Sequence, residues 1–303
     1  MVYDIIVIGG GPAGLTAAVY ARRANKTVLV IEKAVFGGQI TYSPKVENIP
    51  GFTALSGNEF AEKLVDQVLS QGAEVESAEV LSVTDGEVKT VHTDGGDFEC
   101  RAIVVATGAR HRLIGLENEE NLIGSGISFC AVCDGAFYQG KEVGVVGGGN
   151  SALQEALLLA DQAKKVTVIQ NLDFLTGEKA LCDQLAAKDN VKVILGTVVT
   201  AVLGENDLTG VTVEKTATGE KNDLKLDGLF IAIGLVPQNE PFAALIDLDP
   251  RGYAKADESC VTGTKGVFVA GDCRTKRIRQ VATAAADGAI AALAVCDFLD
   301  GKS

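Results

Sequence analysis

Seven cysteines stand in the 303-residue chain, and only Cys130 and Cys133 are close neighbours. A Cys-x-x-Cys loop brings two sulfurs within reach of an exchangeable disulfide. It also commonly lowers the pKa of one thiol, so that a thiolate is available as nucleophile. Cys100, Cys182, Cys260, Cys273 and Cys296 are scattered and read as small, buried, inert side chains, with a redox role for Cys182 or Cys273 left open. Zinc would need further ligands at matching spacing. The chain has no second Cys-x-x-Cys and only two histidines, His92 and His111, so no metal site is expected.

The elements that must hold this pair come from an internal repeat. Residues 5–32, IIVIGGGPAGLTAAVYARRANKTVLVIE, align without a gap on residues 143–170, VGVVGGGNSALQEALLLADQAKKVTVIQ. Each copy has an apolar strand, a glycine turn, a helical stretch and a second strand, the βαβ unit of a dinucleotide-binding fold. In the first copy Gly9 permits the tight turn, Gly11 lets the backbone approach a pyrophosphate, and Gly14 lets helix and strand pack closely. Pro12 suits the first helical turn, where its missing N–H costs nothing. The helix N-terminus offers free N–H groups to phosphate, and Glu32 closes the second strand where a carboxylate binds ribose hydroxyls. In the second copy the glycines are Gly147 and Gly149, Ala152 takes the third place, and Gln170 stands where Glu32 stood.

Composition agrees with two ordinary globular domains: 47% hydrophobic, 22% charged, 35 glycines and 6 prolines. The net charge of -13 argues against nucleic acid as a partner. Uninterrupted apolar runs such as Leu229 to Val236 are too short to span a bilayer. Met1 leads almost directly into a strand with no secretory signal, so a cytoplasmic location and no membrane partner are expected. Arg274, Lys276, Arg277 and Arg279 form the densest basic island.

Further motifs are GGQ at Gly37–Gln39, ENIPGF at Glu47–Phe52, ATG at Ala106–Gly108, CAVCD at Cys130–Asp134 and GVFVAGDCRTKRIRQVATAAADGAIAA at Gly266–Ala292. In this order and spacing the whole chain resembles the low-molecular-weight flavoprotein thioredoxin reductases. The resemblance implies an α/β fold of two Rossmann-like dinucleotide-binding domains, the second inserted into a split FAD domain. Residues 1–112 and 241–303 would form the FAD domain. Residues 113–240 would form the inserted, nicotinamide-type domain carrying the cysteines.

FAD is the implied cofactor, with contacts from Gly9, Gly11, Pro12, Ala13, Gly14, Glu32, Gly38, Gln39, Asn48, Thr107, Gly108, Gly271, Asp272, Arg279, Gln280 and Val281. By the same resemblance Cys133 is the flavin-proximal sulfur, Cys130 attacks the disulfide of thioredoxin, and Asp134 is proton donor or acceptor. A carboxylate there could protonate a leaving thiolate if burial raised its pKa; it could also cap a helix. The family forms homodimers and rotates the inserted domain, with hinges expected near Leu113–Glu117 and Gln238–Pro241.

The chain departs from the family at one place. NADPH-dependent members carry an HRRxxxR pattern after the second βαβ strand, and here Gln170, Asn171, Leu172, Asp173, Phe174, Leu175 and Thr176 supply no cation. In this it is similar to the ferredoxin-linked flavin thioredoxin reductases, so ferredoxin is the expected donor and a partner beside thioredoxin. It would dock on Arg274, Lys276 and Arg277. The alternatives are an NADPH-dependent reductase and a non-catalytic flavin-binding sensor.

Overall fold

A computed structural model describes residues 1–43 and 45–302; Ser303, the end of the expected split domain, lies outside them. The chain divides into two compact units, Met1–Arg110 with Val236–Ser303, and His111–Leu235.

In order, the first stretch forms β1 (Val2–Ile8), α1 (Pro12–Arg23), β2 (Val28–Glu32), α2 (Gly57–Ser70), β3 (Glu74–Ser77), β4 (Val80–Thr84), β5 (Lys89–Thr93), β6 (Gly96–Val105) and β7 (Ala109–His111). The middle stretch forms β8 (Ile127–Ser128), α3 (Ala131–Asp134), β9 (Glu142–Val146), α4 (Asn150–Ala160), β10 (Lys165–Ile169), α5 (Lys179–Ala186), β11 (Val191–Ile194), β12 (Thr197–Leu203), β13 (Gly210–Lys215), β14 (Lys221–Lys225) and β15 (Gly228–Ile231). The chain returns through β16 (Leu235–Pro237) and β17 (Val267–Val269) to α6 (Val281–Leu299).

In the first unit the sheet order is β3-β2-β1-β6-β5-β4, with β17 also pairing β6. Strands β3, β2, β1, β6 and β17 are parallel, while β4 and β5 join antiparallel. A parallel sheet is covered on both faces, so its strands read as continuous apolar runs. Ile5, Ile6 and Val7 in β1 accordingly have no exposed surface. The second unit repeats the plan with parallel order β11-β10-β9-β15-β8, beside the antiparallel sheet β12-β13-β14. The expected α/β class with two dinucleotide-binding folds is therefore present, and each glycine turn follows the carboxyl end of its first strand, where such sheets bind ligands.

By length and composition α6 is apolar enough to cross a membrane, with mean hydropathy 1.6. Asp287 and Asp297 interrupt its apolar residues. The helix buries Ala284, Asp287, Gly288, Ala291, Ala292, Val295 and Cys296. It packs on the small residues of α1, and its buried carboxylate is ion-paired inside the unit, as in the core helix of a globular domain.

Candidate active site and dinucleotide turns

In the second unit Cys130 and Cys133 form a disulfide with Cα atoms 5.3 Å apart. Parallel pairing of Ile127 and Ser128 with β15 brings the chain to the edge of the sheet, and α3 begins at once. Its N-cap is Cys130, whose Sγ accepts from the Cys133 N–H at 3.2 Å. Asp134 ends this single turn and stands at the N-cap position of the 3-10 segment Gly135–Tyr138, where its side chain makes no capping hydrogen bond.

Asp134 is held by a residue that the motif reading passed over. Ser128 Oγ donates to Asp134 Oδ2 at 2.6 Å and accepts from the Cys130 N–H at 3.1 Å. One hydroxyl therefore orients both the carboxyl and the backbone of the disulfide loop. Asp134 Oδ1 is buried without a partner. Burial raises the Asp134 pKa, and the Ser128 hydrogen bond opposes that only in part. A carboxyl with raised pKa beside a disulfide is placed to take up and return a proton. Val132, between the cysteines, is 64% exposed and leaves an apolar face on the loop.

The second glycine turn is crossed by its own chain. Thr176 and Gly177 N–H groups both donate to the Gly148 carbonyl, at 2.8 and 2.9 Å. Asn150, at the start of α4, exchanges hydrogen bonds with Glu178: its Nδ2 donates to Glu178 Oε1 and its Oδ1 accepts from the Glu178 N–H. Gln170 is buried and its amide donates to the Phe174 carbonyl at 3.2 Å. Leu172 and Phe174 are exposed. The segment presents apolar side chains and Asp173 where a 2′-phosphate would want cations.

In the first unit the turn from β1 to α1 has the tight geometry its spacing implies. A Cβ on Gly14 would lie 1.9 Å from the Gly9 carbonyl oxygen, so only glycine lets the helix meet the strand there. Helix α1 has Gly11 as N-cap and no side-chain cap, which leaves N–H groups for an anion. Glu32 accepts from the Gly10 N–H at 2.7 Å and the Ala34 N–H at 2.9 Å. Gly37 N–H donates to the Gly10 carbonyl, tying the 3-10 segment of Gly38 and Gln39 to the same turn. Asn48 Nδ2 donates to Gln280 Oε1 at 3.3 Å, next to Val281 at the start of α6. Thr107 Oγ1 donates to Asn239 Oδ1, and Asn239 Nδ2 donates to the Gly252 and Cys273 carbonyls. Asn239 is fully buried and was not anticipated; a lone asparagine carries no motif. Gly108 follows Thr107 with φ +68°.

Gly271 adopts φ +82°, and a Cβ there would approach Ala13 Cβ to 2.8 Å, so this turn abuts the start of α1. Asp272 has its Oδ1 buried without a partner, and burial pushes its pKa up to about 6. Arg279 stacks over Tyr253, 4.3 Å from the ring centroid, and donates to the Asp272 carbonyl at 3.3 Å.

The basic island is not the open patch that its sequence suggests. Arg274 is 1% exposed and forks onto Asp287, while Glu258 accepts from its Nη2. Lys276 Nζ also donates to Asp287, at 2.9 Å. Arg277 alone of the four is exposed. Of the scattered cysteines, Cys100, Cys260, Cys273 and Cys296 are buried and Cys182 is partly so. Burial drives the Cys273 thiol up to about 11, which denies it a thiolate at neutral pH.

Residues 3–288 match the family described as pyridine nucleotide-disulphide oxidoreductase, and the chain belongs to that family. It is 42% identical over 303 residues to a thioredoxin reductase of Bacillus subtilis (strain 168), covering 99% of this chain and 95% of that one. It is 41% identical over 302 residues to the 34.2 kDa protein in the rubredoxin operon of Clostridium pasteurianum, covering 99% and 98%. Among solved structures, the thioredoxin reductase of Streptococcus pyogenes MGAS5005 superposes with a TM-score of 0.94 at 38% identity, covering 99% of both chains.

Proposed function

We propose that this chain is an FAD-dependent thioredoxin reductase that draws electrons from reduced ferredoxin and passes them, through the flavin and the Cys130–Cys133 disulfide, to thioredoxin. The observation that carries the reading is the disulfide loop itself, with Ser128 orienting a carboxyl of raised proton affinity against it. Relatives named thioredoxin reductase, matched over nearly the full length, support the substrate.

The first unit fits FAD. The uncapped start of α1 at Gly11–Gly14 would take the pyrophosphate, and Glu32 a ribose. The orphaned oxygen of Asp272 is a buried acceptor in need of a hydroxyl such as the ribityl chain offers. Gly38, Gln39, Asn48, Thr107, Gly108, Arg279, Gln280 and Val281 would complete the surround. When bound, FAD can accept single electrons and pass on two. The protein's part is to hold it, to orient the disulfide through Ser128, and to hold Asp134 where it can take up and return a proton.

Ferredoxin as donor rests on the segment Gln170–Thr176, which lacks a cation and is tied down on Gly148. NADPH as donor is the second reading, favoured by the intact turn and helix of the second βαβ unit. A homodimer in the cytoplasm completes the proposal. Anaerobic titration of the flavin absorbance with NADPH, NADH and reduced ferredoxin tests it. Ferredoxin should bleach the flavin rapidly. NADPH binding with a low-micromolar Kd would overturn the donor assignment. A dithiol unable to reduce thioredoxin would overturn the enzyme.

A further inference from the structure

Among the described residues the second unit holds two carboxyl oxygens that are buried without any hydrogen-bond partner: Asp134 Oδ1 and Glu155 Oε2. Asp134 ends α3, Glu155 lies in the middle of α4, and these two helices pack on each other. An ionised carboxylate removed from water and left unpaired is unfavourable, so burial of such a group favours the form that holds a proton. Burial, with a contribution from the charge on Asp134, pushes the Glu155 pKa up to about 8.

The elements around α4 bring other titratable groups: Tyr138 in the turn after α3, Glu142 on β9, Lys165 on β10, and Lys179, Cys182 and Asp183 on α5. Among the described residues Asp134 alone acts on the charge of Glu155. Tyr138, raised to about 12 by burial and by Asp134, stays neutral. At neutral pH Glu155 therefore holds its proton, and a charge on Asp134 makes it hold that proton more tightly.

We propose that Glu155 is a positioning residue for the disulfide chemistry, its buried carboxyl lying across the α3–α4 contact from Asp134 and fixing the charge that Asp134 carries during exchange. This rests on the reading that Cys130 and Cys133 exchange with a partner disulfide. The Cys130 thiol gives its proton to the Asp134 carboxylate, and its sulfur bonds to one partner sulfur as the partner's S–S bond breaks. The departing partner thiolate takes that proton from Asp134. The Cys133 thiol then gives its proton to Asp134, and its sulfur bonds to Cys130 as the mixed disulfide breaks. The second partner thiolate takes this proton in turn. Two protons and two electrons have passed from enzyme dithiol to partner, and the Glu155 proton has not been consumed. Once Glu155 ionises, Asp134 faces a second negative charge, binds its proton more tightly and returns it less readily.

The test uses the full-length protein, chemically reduced and freed of reductant, mixed with oxidised thioredoxin from pH 6 to 9.5 while partner thiols are counted. The wild-type rate should fall behind thiolate formation above about pH 8. E155Q should match wild type within about twofold at pH 6–7 and exceed it at pH 9, by about tenfold for each unit of coupling between the carboxyls. Glu155→Asp should restore the wild-type profile. Superimposable profiles for wild type and Glu155→Gln overturn the proposal. A second measurement needs no variant: infrared spectra of protein labelled with carbon-13 glutamate should show a protonated glutamate carboxyl at pH 7, and its absence overturns the proposal too. A wild-type dithiol that fails to exchange with thioredoxin at every pH would instead sink the proposed function.

Discussion

Arg274 donates from Nε and Nη2 to the two oxygens of Asp287, both bonds 2.8 Å long, and the two side chains are 1% and 3% exposed. Asp287 Oδ2 also accepts from the Gly271 N–H at 2.9 Å. The fork thus anchors, from α6, the turn that presents Asp272. Burial alone would raise the Asp287 pKa, but the bonds from Arg274 and Lys276 outweigh it and hold the carboxyl below its ordinary value. A group lowered in this way stabilises the fold above its unfolded pKa, and the contribution is lost as pH falls through the folded value.

Asp287→Ala should therefore cost about 3–5 kcal/mol in urea unfolding, the usual penalty for leaving a buried charge alone. It should also lower flavin content, since the Gly271 turn loses its anchor. The wild type should lose stability on acidification below about pH 4, and the variant should lose less over that range. Equal urea midpoints for the two proteins would show that the fork does not support the turn.

The same geometry changes where a donor could dock. Lys276→Glu would set a carboxylate against Asp287, so any loss of electron transfer would report damage to the fold. Arg277→Glu isolates the surface charge, because only Arg277 of this group is exposed. A single exposed charge acts mainly on encounter rate. Arg277→Glu should slow flavin reduction by ferredoxin at low salt by less than about tenfold, and salt should erase the difference. Stopped-flow rates at two ionic strengths decide this, with dithionite reduction as the control.

The βαβ repeats were legible because strand, glycine turn and helix are set by local periodicity and close backbone approach, which the sequence of Gly9, Gly11 and Gly14 states directly. The cysteine pair was legible for the same reason, its partners being three residues apart. Burial was not. Four basic residues within six positions read as a patch, yet their neutralising partners, Asp287 and Glu258, come from elsewhere in the chain. Ser128, Glu155 and Asn239 escaped because each acts through a contact made only on folding. A repeat reading could have flagged Glu155, an acidic residue inside a helix whose counterpart, Ala17, is apolar and buried.

The dithiol residues should separate under substitution. Cys130→Ser should leave flavin reducible but stop turnover with thioredoxin. Cys133→Ser should also stop turnover and accumulate a mixed disulfide through Cys130, visible as a covalent adduct on non-reducing gels. Normal thioredoxin reduction by either variant would reassign the site.

Glu155 also affects stability. Its folded pKa of about 8 lies above the ordinary glutamate value of 4.5. The folded state therefore holds a proton that the unfolded chain releases, so this contribution is full at acid pH and is lost as pH rises through the folded value. Wild-type stability should fall between about pH 4.5 and 8 relative to Glu155→Gln, which has no proton to lose. Urea midpoints of both proteins across that range give the comparison, and parallel curves would show that Glu155 is ionised in the native state.

The nicotinamide question can be put to the second unit directly. Asn171, Leu172 and Thr176 are exposed, so arginine at each can reach solvent without displacing core side chains. Thr176 is tied to Gly148 through its backbone N–H, a bond that Thr176→Arg keeps. Each charged hydrogen bond to a phosphate contributes about 1.5–3 kcal/mol. Two such bonds should tighten NADPH binding by roughly two to four powers of ten. The triple variant Asn171→Arg, Leu172→Arg, Thr176→Arg should therefore gain NADPH affinity, with a smaller gain for NADH, which lacks the 2′-phosphate. That contrast, measured by flavin-independent calorimetry, separates recovered phosphate recognition from a general gain of positive charge. An equal gain for both nucleotides would mean that the turn at Gly147–Gly149 no longer accepts a dinucleotide in the orientation its fold implies.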